Sequence, residues 1–207
     1  MTKKMTVIGL TGSIGMGKSE TAKMFGQENI PIFDSDGAVH ILMGKDGAAT
    51  QKIAAAFPGV MGPCGIDRQK LGSRVFGHGA ALKKLEAILH PMVTEMRQKF
   101  FQKATDQGAD MAVMDVPLLF ETGAEAICDY TVVVSAPAEI QRARVLARPN
   151  MTVKKFEHIL SQQMPDGEKR QRADFIVLSD QGKEKAKAQV RQIIRQIRMC
   201  QNQKDKN

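Results

Sequence analysis

This 207-residue chain predicts an α/β fold with a parallel sheet flanked by helices, and three observations carry that prediction. Five short apolar runs, rich in β-branched residues, recur along it, as strands buried on both faces require. Segments of helical periodicity lie between them, and such alternation is the pattern of a parallel sheet. Hydrophobic residues make up 43% of the chain and charged residues 25%, ordinary for a globular domain. The length fits one core domain with an insertion.

Met5–Thr11 is the first expected strand: short, apolar and closed by glycines. Ile30–Phe33, Met111–Val116, Tyr130–Val134 and Phe175–Leu178 repeat the pattern. The interval between the second and third strands is far longer than one crossover helix needs, so it predicts an inserted helical subdomain. Within it Leu82, Leu85, Ile88 and Leu89 recur at helical spacing, Pro91 ends or kinks the helix, and Val93, Met96 and Phe100 continue the stripe. Between the fourth and fifth strands, Ile140, Ala143 and Leu146 mark one helix. Phe156, Ile159, Leu160 and Gln163 mark a second, with Thr152 as its N-cap. Their polar faces are basic at Arg142, Arg144 and Arg148. Ala186, Val190, Ile193, Ile194 and Ile197 form the stripe of a last helix that packs on the sheet.

Composition removes several classes of function. No apolar run reaches the ~18 residues of a membrane span. The stretch after Met1-Thr2-Lys3-Lys4 is too short, and broken too soon by Gly12 and Ser13, for a signal peptide, so the expectation is a cytoplasmic protein that does not engage a membrane. Cys64, Cys128 and Cys200 lie far apart, with neither disulfide nor zinc spacing. No His-Glu-x-x-His pair is present. The net charge of +8 raises the question of nucleic acid, but eight Lys/Arg and two acids fall between Lys183 and Asn207, with no aromatic residue among them. Single-strand binders combine charge with aromatic platforms, so a solvated helix face is the expectation and no nucleic-acid partner is assigned. A monomer is expected.

Gly12-Ser13-Ile14-Gly15-Met16-Gly17-Lys18-Ser19 matches G-x-x-x-x-G-K-[ST] between the first strand and a helical segment, the context the motif requires. Its glycines let backbone N–H groups close on phosphate oxygens. The helix N-terminus adds partial positive charge. Lys18 is expected on the β- and γ-phosphates and the Ser19 hydroxyl on Mg²⁺. A nucleoside triphosphate is thus the expected ligand. Asn-Lys-x-Asp, the guanine signature of a GTPase, is absent.

Asp34-Ser35-Asp36 follows the second strand, at the sheet edge where ligands bind in open parallel sheets. Three roles stay open: orienting Mg²⁺, taking the proton of an acceptor hydroxyl, or, for Asp36, capping the next helix. Asp115 ends the third strand as an apolar run followed by an acid, and is expected to hold a Mg²⁺-bound water. The segment from Val116 to Glu121 continues that edge, where covering a ligand and ordinary packing are both open.

Taken in order, these pieces resemble the dephospho-coenzyme A kinase family. They are Leu10–Ser19, Asp34-Ser35-Asp36, Leu89-His90-Pro91, Pro117-Leu118-Leu119-Phe120-Glu121, Arg144 and Arg148, Gln163, Lys169-Arg170 and Ala173-Asp174-Phe175. The resemblance implies one P-loop kinase domain over 1–207 with strand order 2-3-1-4-5, a helical CoA-binding region at 37–103 and a lid at 139–172. It implies transfer of a phosphoryl group from ATP to the ribose 3′-hydroxyl of dephospho-CoA, with Mg²⁺ as cofactor. Asp36 is then the candidate base, and Lys18, Arg144 and Arg148 serve the transferring phosphoryl group. Residues 12–20 hold ATP. Asp34, Asp36, His90, Pro91, Leu118, Leu119 and Glu121 form the acceptor side.

Three positions depart from the family pattern: Glu20 for the usual Thr or Ser, Ser35 for Ala, and Leu178-Ser179-Asp180-Gln181-Gly182 in place of an Asp-Asn-x-Gly ending. Other readings are a small kinase for a nucleoside monophosphate or shikimate, an ATPase acting on nucleic acid, and a nucleotide-binding partner without turnover.

Overall fold

Thr6–Thr11 forms the first strand, β1, almost wholly buried. The structure, a computed structural model, describes residues 5–204. The Met1–Lys4 lead-in of the signal-peptide argument and the last three residues of the basic tail lie outside that range. β1 pairs in parallel with β5 (Met111–Asp115), Ile8 opposite Val113, and with β6 (Tyr130–Ser135), Leu10 opposite Val132. β6 pairs in parallel with β7 (Phe175–Leu178). At the other edge lies β2 (Ile32–Asp34), where the Pro31 carbonyl accepts from Val113 N–H at 2.8 Å. The five-stranded order is β2-β5-β1-β6-β7. With the short hairpin described below set aside, this is the expected 2-3-1-4-5. The second strand ends at Asp34 rather than before it.

The core of the sheet unit is laid down on one face of the central strands by Ile8, Leu10, Met111, Val113, Val132 and Val134, which alternate along each strand and sit side by side across them. Helix α1 (Lys18–Gln27) adds Ala22, Met24 and Phe25. Helix α9 (Lys183–Lys204) adds all five apolar residues expected of it. Each fully buried aliphatic or aromatic side chain stabilises the fold by roughly 1.5–3 kcal/mol, and Ala112, Met114 and Val133 are buried on the opposite face, so a slip of the strands would cost that burial. Three cations of α9 pair with acids: Lys183 with Glu20, Arg191 with Glu28 and Arg198 with Asp110. Among the described residues, no helix is long and apolar enough to cross a membrane.

Residues 33–107 form a second compact unit. It contains α2 (Ser35–Leu42), α3 (Thr50–Ala56), α4 (Arg68–Val75) and α5 (Gly79–Asp106). It has its own core, including Leu42, Ile53, Phe57, Leu71, Leu85 and Leu89. Pro91 does not end the helix: α5 runs through it. Proline removes one i→i−4 bond, yet Leu85 and Leu89 before it and Met92, Val93 and Met96 after it pack on one core. That burial carries the helix past the lost bond. A two-residue hairpin, β3 (Met61–Gly62) with β4 (Gly65–Ile66), was not expected. Two residues per strand are too few to show alternation.

Between β6 and β7 lie α6 (Ala138–Leu146), α7 (Val153–Ser161) and α8 (Asp166–Arg172). Thr152 caps α7 as expected, its hydroxyl accepting from Lys155 N–H at 3.3 Å. Gln163 and Arg148, assigned to helices above, lie just beyond α7 and α6. Helix α8 has no apolar residue in its seven positions, so periodicity could not show it.

Candidate active site

The loop from Gly12 to Gly17 joins β1 to α1. Gly17 caps α1 in the left-handed region at φ 95°, and Gly15 has φ 80°. Glycine alone adopts such angles without strain. Packing makes the same demand. A Cβ on Gly15 would lie 2.4 Å from Val145 Cγ2, and one on Gly12 would lie 2.7 Å from the Val134 carbonyl oxygen. The loop is braced from the segment between β6 and β7: Gln163 Oε1 accepts from Ile14 N–H at 3.0 Å, and Gln141 Nε2 donates to the Ile14 carbonyl at 2.8 Å. The Ser179 hydroxyl donates to the Met16 carbonyl at 2.6 Å. The N-terminal N–H groups of α1 thus sit behind a fixed turn, the arrangement that binds phosphate.

Lys18, the first residue of α1, forms an ion pair with Asp115, the last residue of β5. Their side chains are 16% and 9% exposed, so screening by solvent is limited. The expected third-strand acid therefore stands at the phosphate loop. Ser19 is exposed on the first turn of α1.

A cavity of about 300 Å³ adjoins the loop, with Gly15, Gly17, Glu20, Arg144, Ser179 and Lys183 among its walls. Glu20 pairs with Lys23 at 2.7 Å and Lys183 at 3.1 Å. Hydrogen bonds from those two ammonium groups hold its carboxyl below the ordinary value. Arg144 is anchored: Nη1 donates to Ser179 Oγ and Nη2 to the Ser179 carbonyl, both at 2.8 Å. Arg148 lines the same cavity from the exposed turn after α6. The structure thus brings Lys18, Arg144, Arg148 and Glu20 to one phosphate-loop region of the sheet unit.

The segment after Asp115 is both packing and surface. Leu119, expected on the acceptor side, is fully buried and within reach of a Cβ on Gly9 of β1, a packing position with no exposed surface of its own. Leu118 is exposed. Glu121 is likewise not free for a ligand through Oε1, which pairs with Lys169 Nζ at 2.9 Å and accepts from Met164 N–H at 2.7 Å. Burial raises its pKa, but the Lys169 ammonium and the Met164 N–H outweigh that and leave the carboxyl below its ordinary value. Lys169 is completely buried, and its ammonium also reaches the Pro117 carbonyl at 3.4 Å.

In the second unit Asp34, not Asp36, is the N-cap of α2: its carboxylate accepts from Gly37 N–H at 2.9 Å. The helix starts at Ser35, two residues earlier than capping by Asp36 would need. Asp36 lies exposed in the first turn. His90 and Pro91 are exposed on α5. A cavity of about 580 Å³ in this unit is lined by Ile41, Lys45, Met92, Glu95, Met96 and Lys99, among others.

Sequence reasoning missed Gln141, whose burial beside Val145 lies off the Ile140, Ala143 and Leu146 stripe, so the pattern gave no signal of it. It also gave no role to Ser179, although a strand C-terminus of a parallel sheet is ligand territory. Among the described residues, no group of three His, Cys, Asp or Glu could hold a metal ion. A hydroxyl at Ser19 and a carboxylate at Asp115 are all-oxygen donors, which suits Mg²⁺: it takes one or two protein oxygens and fills the rest with phosphate and water.

The dephospho-CoA kinase family model matches residues 6–185. A dephospho-CoA kinase of Mesorhizobium japonicum is 53% identical over 94% of this chain and 98% of the relative. One from Novosphingobium aromaticivorans is 53% identical over 93% and 94%. Among solved structures, the Thermus thermophilus protein TT1252 superposes with a TM-score of 0.81 at 30% identity, covering 93% of this chain and 97% of that one. With the braced phosphate loop, the Lys18–Asp115 pair and a match over nearly its whole length, the chain belongs to the dephospho-CoA kinase family.

Proposed function

We propose that the protein transfers the γ-phosphoryl group of ATP to the ribose 3′-hydroxyl of dephospho-CoA, giving CoA and ADP, the final step of coenzyme A synthesis, in the cytoplasm and as a monomer. The observation that carries this reading is the Lys18–Asp115 pair at the braced loop of a chain from this family. In the reaction, loop N–H groups and Lys18 bind the β- and γ-phosphates and stabilise charge as the leaving oxygen develops. Asp36 takes the proton of the 3′-hydroxyl, whose oxygen forms the new bond to phosphorus while the bond to ADP breaks. Arg144 and Arg148 neutralise charge on the nucleotide. Ser19, and Asp115 through a water, would hold Mg²⁺, which would supply further charge neutralisation at the phosphates.

The acceptor belongs to the helical region 37–103, with His90, Pro91 and Asp34 on that side, and the lid to 139–172. The mixed apolar and charged lining of the 580 Å³ cavity suits the amide-bearing arm of dephospho-CoA. Leu118 adds an apolar contact, with Leu119 and Glu121 as its support.

An ADP-release assay with dephospho-CoA, AMP, shikimate, single-stranded DNA and no acceptor tests this reading. Dephospho-CoA alone should give turnover, with CoA seen by mass spectrometry. Turnover with another acceptor and none with dephospho-CoA overturns it.

A further inference from the structure

Ser179 spends every polar group it has. Its N–H donates to the Ser135 carbonyl at 3.0 Å, fixing it to β6. Its carbonyl accepts from Arg144 Nη2. Its hydroxyl proton goes to the Met16 carbonyl of the phosphate loop at 2.6 Å. A hydroxyl has one proton and two lone pairs, so that bond turns its lone pairs to Arg144 Nη1, which donates at 2.8 Å. The two Arg144 bonds are a planar fork on one residue, the geometry that fixes a guanidinium plane. Arg144 Nη1 also lies 3.5 Å from the Gly15 carbonyl. The fit is close, since a Cβ on Gly17 would stand 3.2 Å from both Ser179 Cβ and Oγ. All three residues, Arg144, Ser179 and Gly17, line the 300 Å³ cavity beside the loop.

We infer that Ser179 is a positioning residue for ATP: it sets the plane of Arg144 against the nucleotide cavity and ties that plane to the phosphate loop through Met16. The site lies at the 178–182 segment, where the sequence departs from the Asp-Asn-x-Gly pattern its resemblance leads one to expect. A serine therefore does by hydroxyl geometry what fixes the arginine in this chain. The inference rests on the reading of this loop as an ATP site and is independent of the acceptor.

The test is calorimetric ATP affinity without acceptor, for wild type, Ser179→Ala, Arg144→Ala and the double variant, each checked by thermal melting. Ser179→Ala should weaken ATP binding about tenfold, the loss of one hydrogen bond to a charged group, with Tm unchanged within about 2 °C. In the Arg144→Ala background the same substitution should change affinity by less than about twofold, because residues acting as a unit are non-additive. Arg144→Lys keeps the charge and loses the fork, and should make position 179 equally silent. An unchanged affinity for Ser179→Ala, or losses that multiply in the double variant, overturns the inference. A wild-type chain that binds no ATP overturns both it and the site. ATP binding with these effects, but no turnover of dephospho-CoA, leaves it standing and removes only the acceptor reading.

Discussion

Lys18 and Asp115, ninety-seven positions apart in sequence, meet as an ion pair at the phosphate loop. The sheet makes the meeting: β1 and β5 are parallel neighbours with Leu10 opposite Asp115, so the end of one strand delivers the acid and the helix after the other delivers the base. The proposed role of this ammonium is to bind phosphate, and its partner in the fold is a single carboxylate rather than the apolar core. Lys18→Ala should therefore lower kcat by roughly 10²–10³, as loss of one preorganised charge does. The Tm should stay within a few degrees. Steady-state ADP release and a melting curve check it, and wild-type kcat would remove the phosphate role.

The loop itself is held by side chains from the segment between β6 and β7. Gln141→Ala and Gln163→Ala each remove one bond to the Ile14 peptide. A neutral hydrogen bond contributes about 1 kcal/mol, so each variant should raise the KM for ATP about fivefold and leave the KM for the acceptor unchanged. Equal loss toward both substrates would contradict a role confined to the loop.

Glu121 and Lys169 give an acid-sensitive prediction. The Glu121 carboxyl titrates below its ordinary value of 4.5 when folded. Its contribution is therefore present above that value and lost as pH falls through the lower folded pKa. Glu121→Gln leaves Lys169 buried without its counter-charge, which costs about 3 kcal/mol or more. Wild type should exceed this variant in stability at pH 7, and the gap should narrow as pH falls below 4.5 and protonation of wild-type Glu121 sets in. Chemical denaturation across that range measures it; a gap independent of pH would show that the pair is not the cause.

Pro91 offers a stability gain. Inside a helix proline costs about 3 kcal/mol, and replacing it returns roughly 1 kcal/mol to the entropy of the unfolded chain. Pro91→Ala should thus raise Tm by several degrees, since α5 already runs through this position. If Pro91 shapes the acceptor side, the KM for dephospho-CoA rises with it. A lowered Tm would show that the α5 geometry depends on the ring.

Most of what the sequence made legible is periodic or spaced. The strands showed because each is an apolar run, and α9 because five buried residues share one stripe. The phosphate loop showed because its glycines have a steric reason at fixed spacing. What stayed hidden depends on tertiary meeting. Lys169 looked like one basic residue among several, and its burial comes from Glu121 forty-eight positions earlier. Ser179 looked like a loop serine until Arg144 and Met16 closed on it. The identity of the cap at the start of α2 turned on a two-residue difference in where the helix begins, which local pattern does not resolve.

That two-residue difference sharpens the choice of base. Asp34 is engaged as the N-cap of α2, so its Oδ1 is held by Gly37 N–H. Asp36 lies exposed in the first turn, relieved of the capping duty that was the competing explanation for it. Asn caps as well as Asp, so Asp34→Asn should leave stability nearly unchanged, whereas Asp34→Ala should lose about 1 kcal/mol. Asp36→Asn has no cap to lose and keeps the side-chain size, yet it removes the basic oxygen. If Asp36 takes the 3′-hydroxyl proton, its kcat should fall by roughly 10²–10⁴ with Tm and ATP affinity unchanged. Pre-steady-state turnover on both Asn variants, with Mg²⁺ titrated, separates the roles. A large loss in Asp34→Asn and a silent Asp36→Asn reverses the assignment. A loss restored by high Mg²⁺ assigns the carboxylate to the metal instead of the proton.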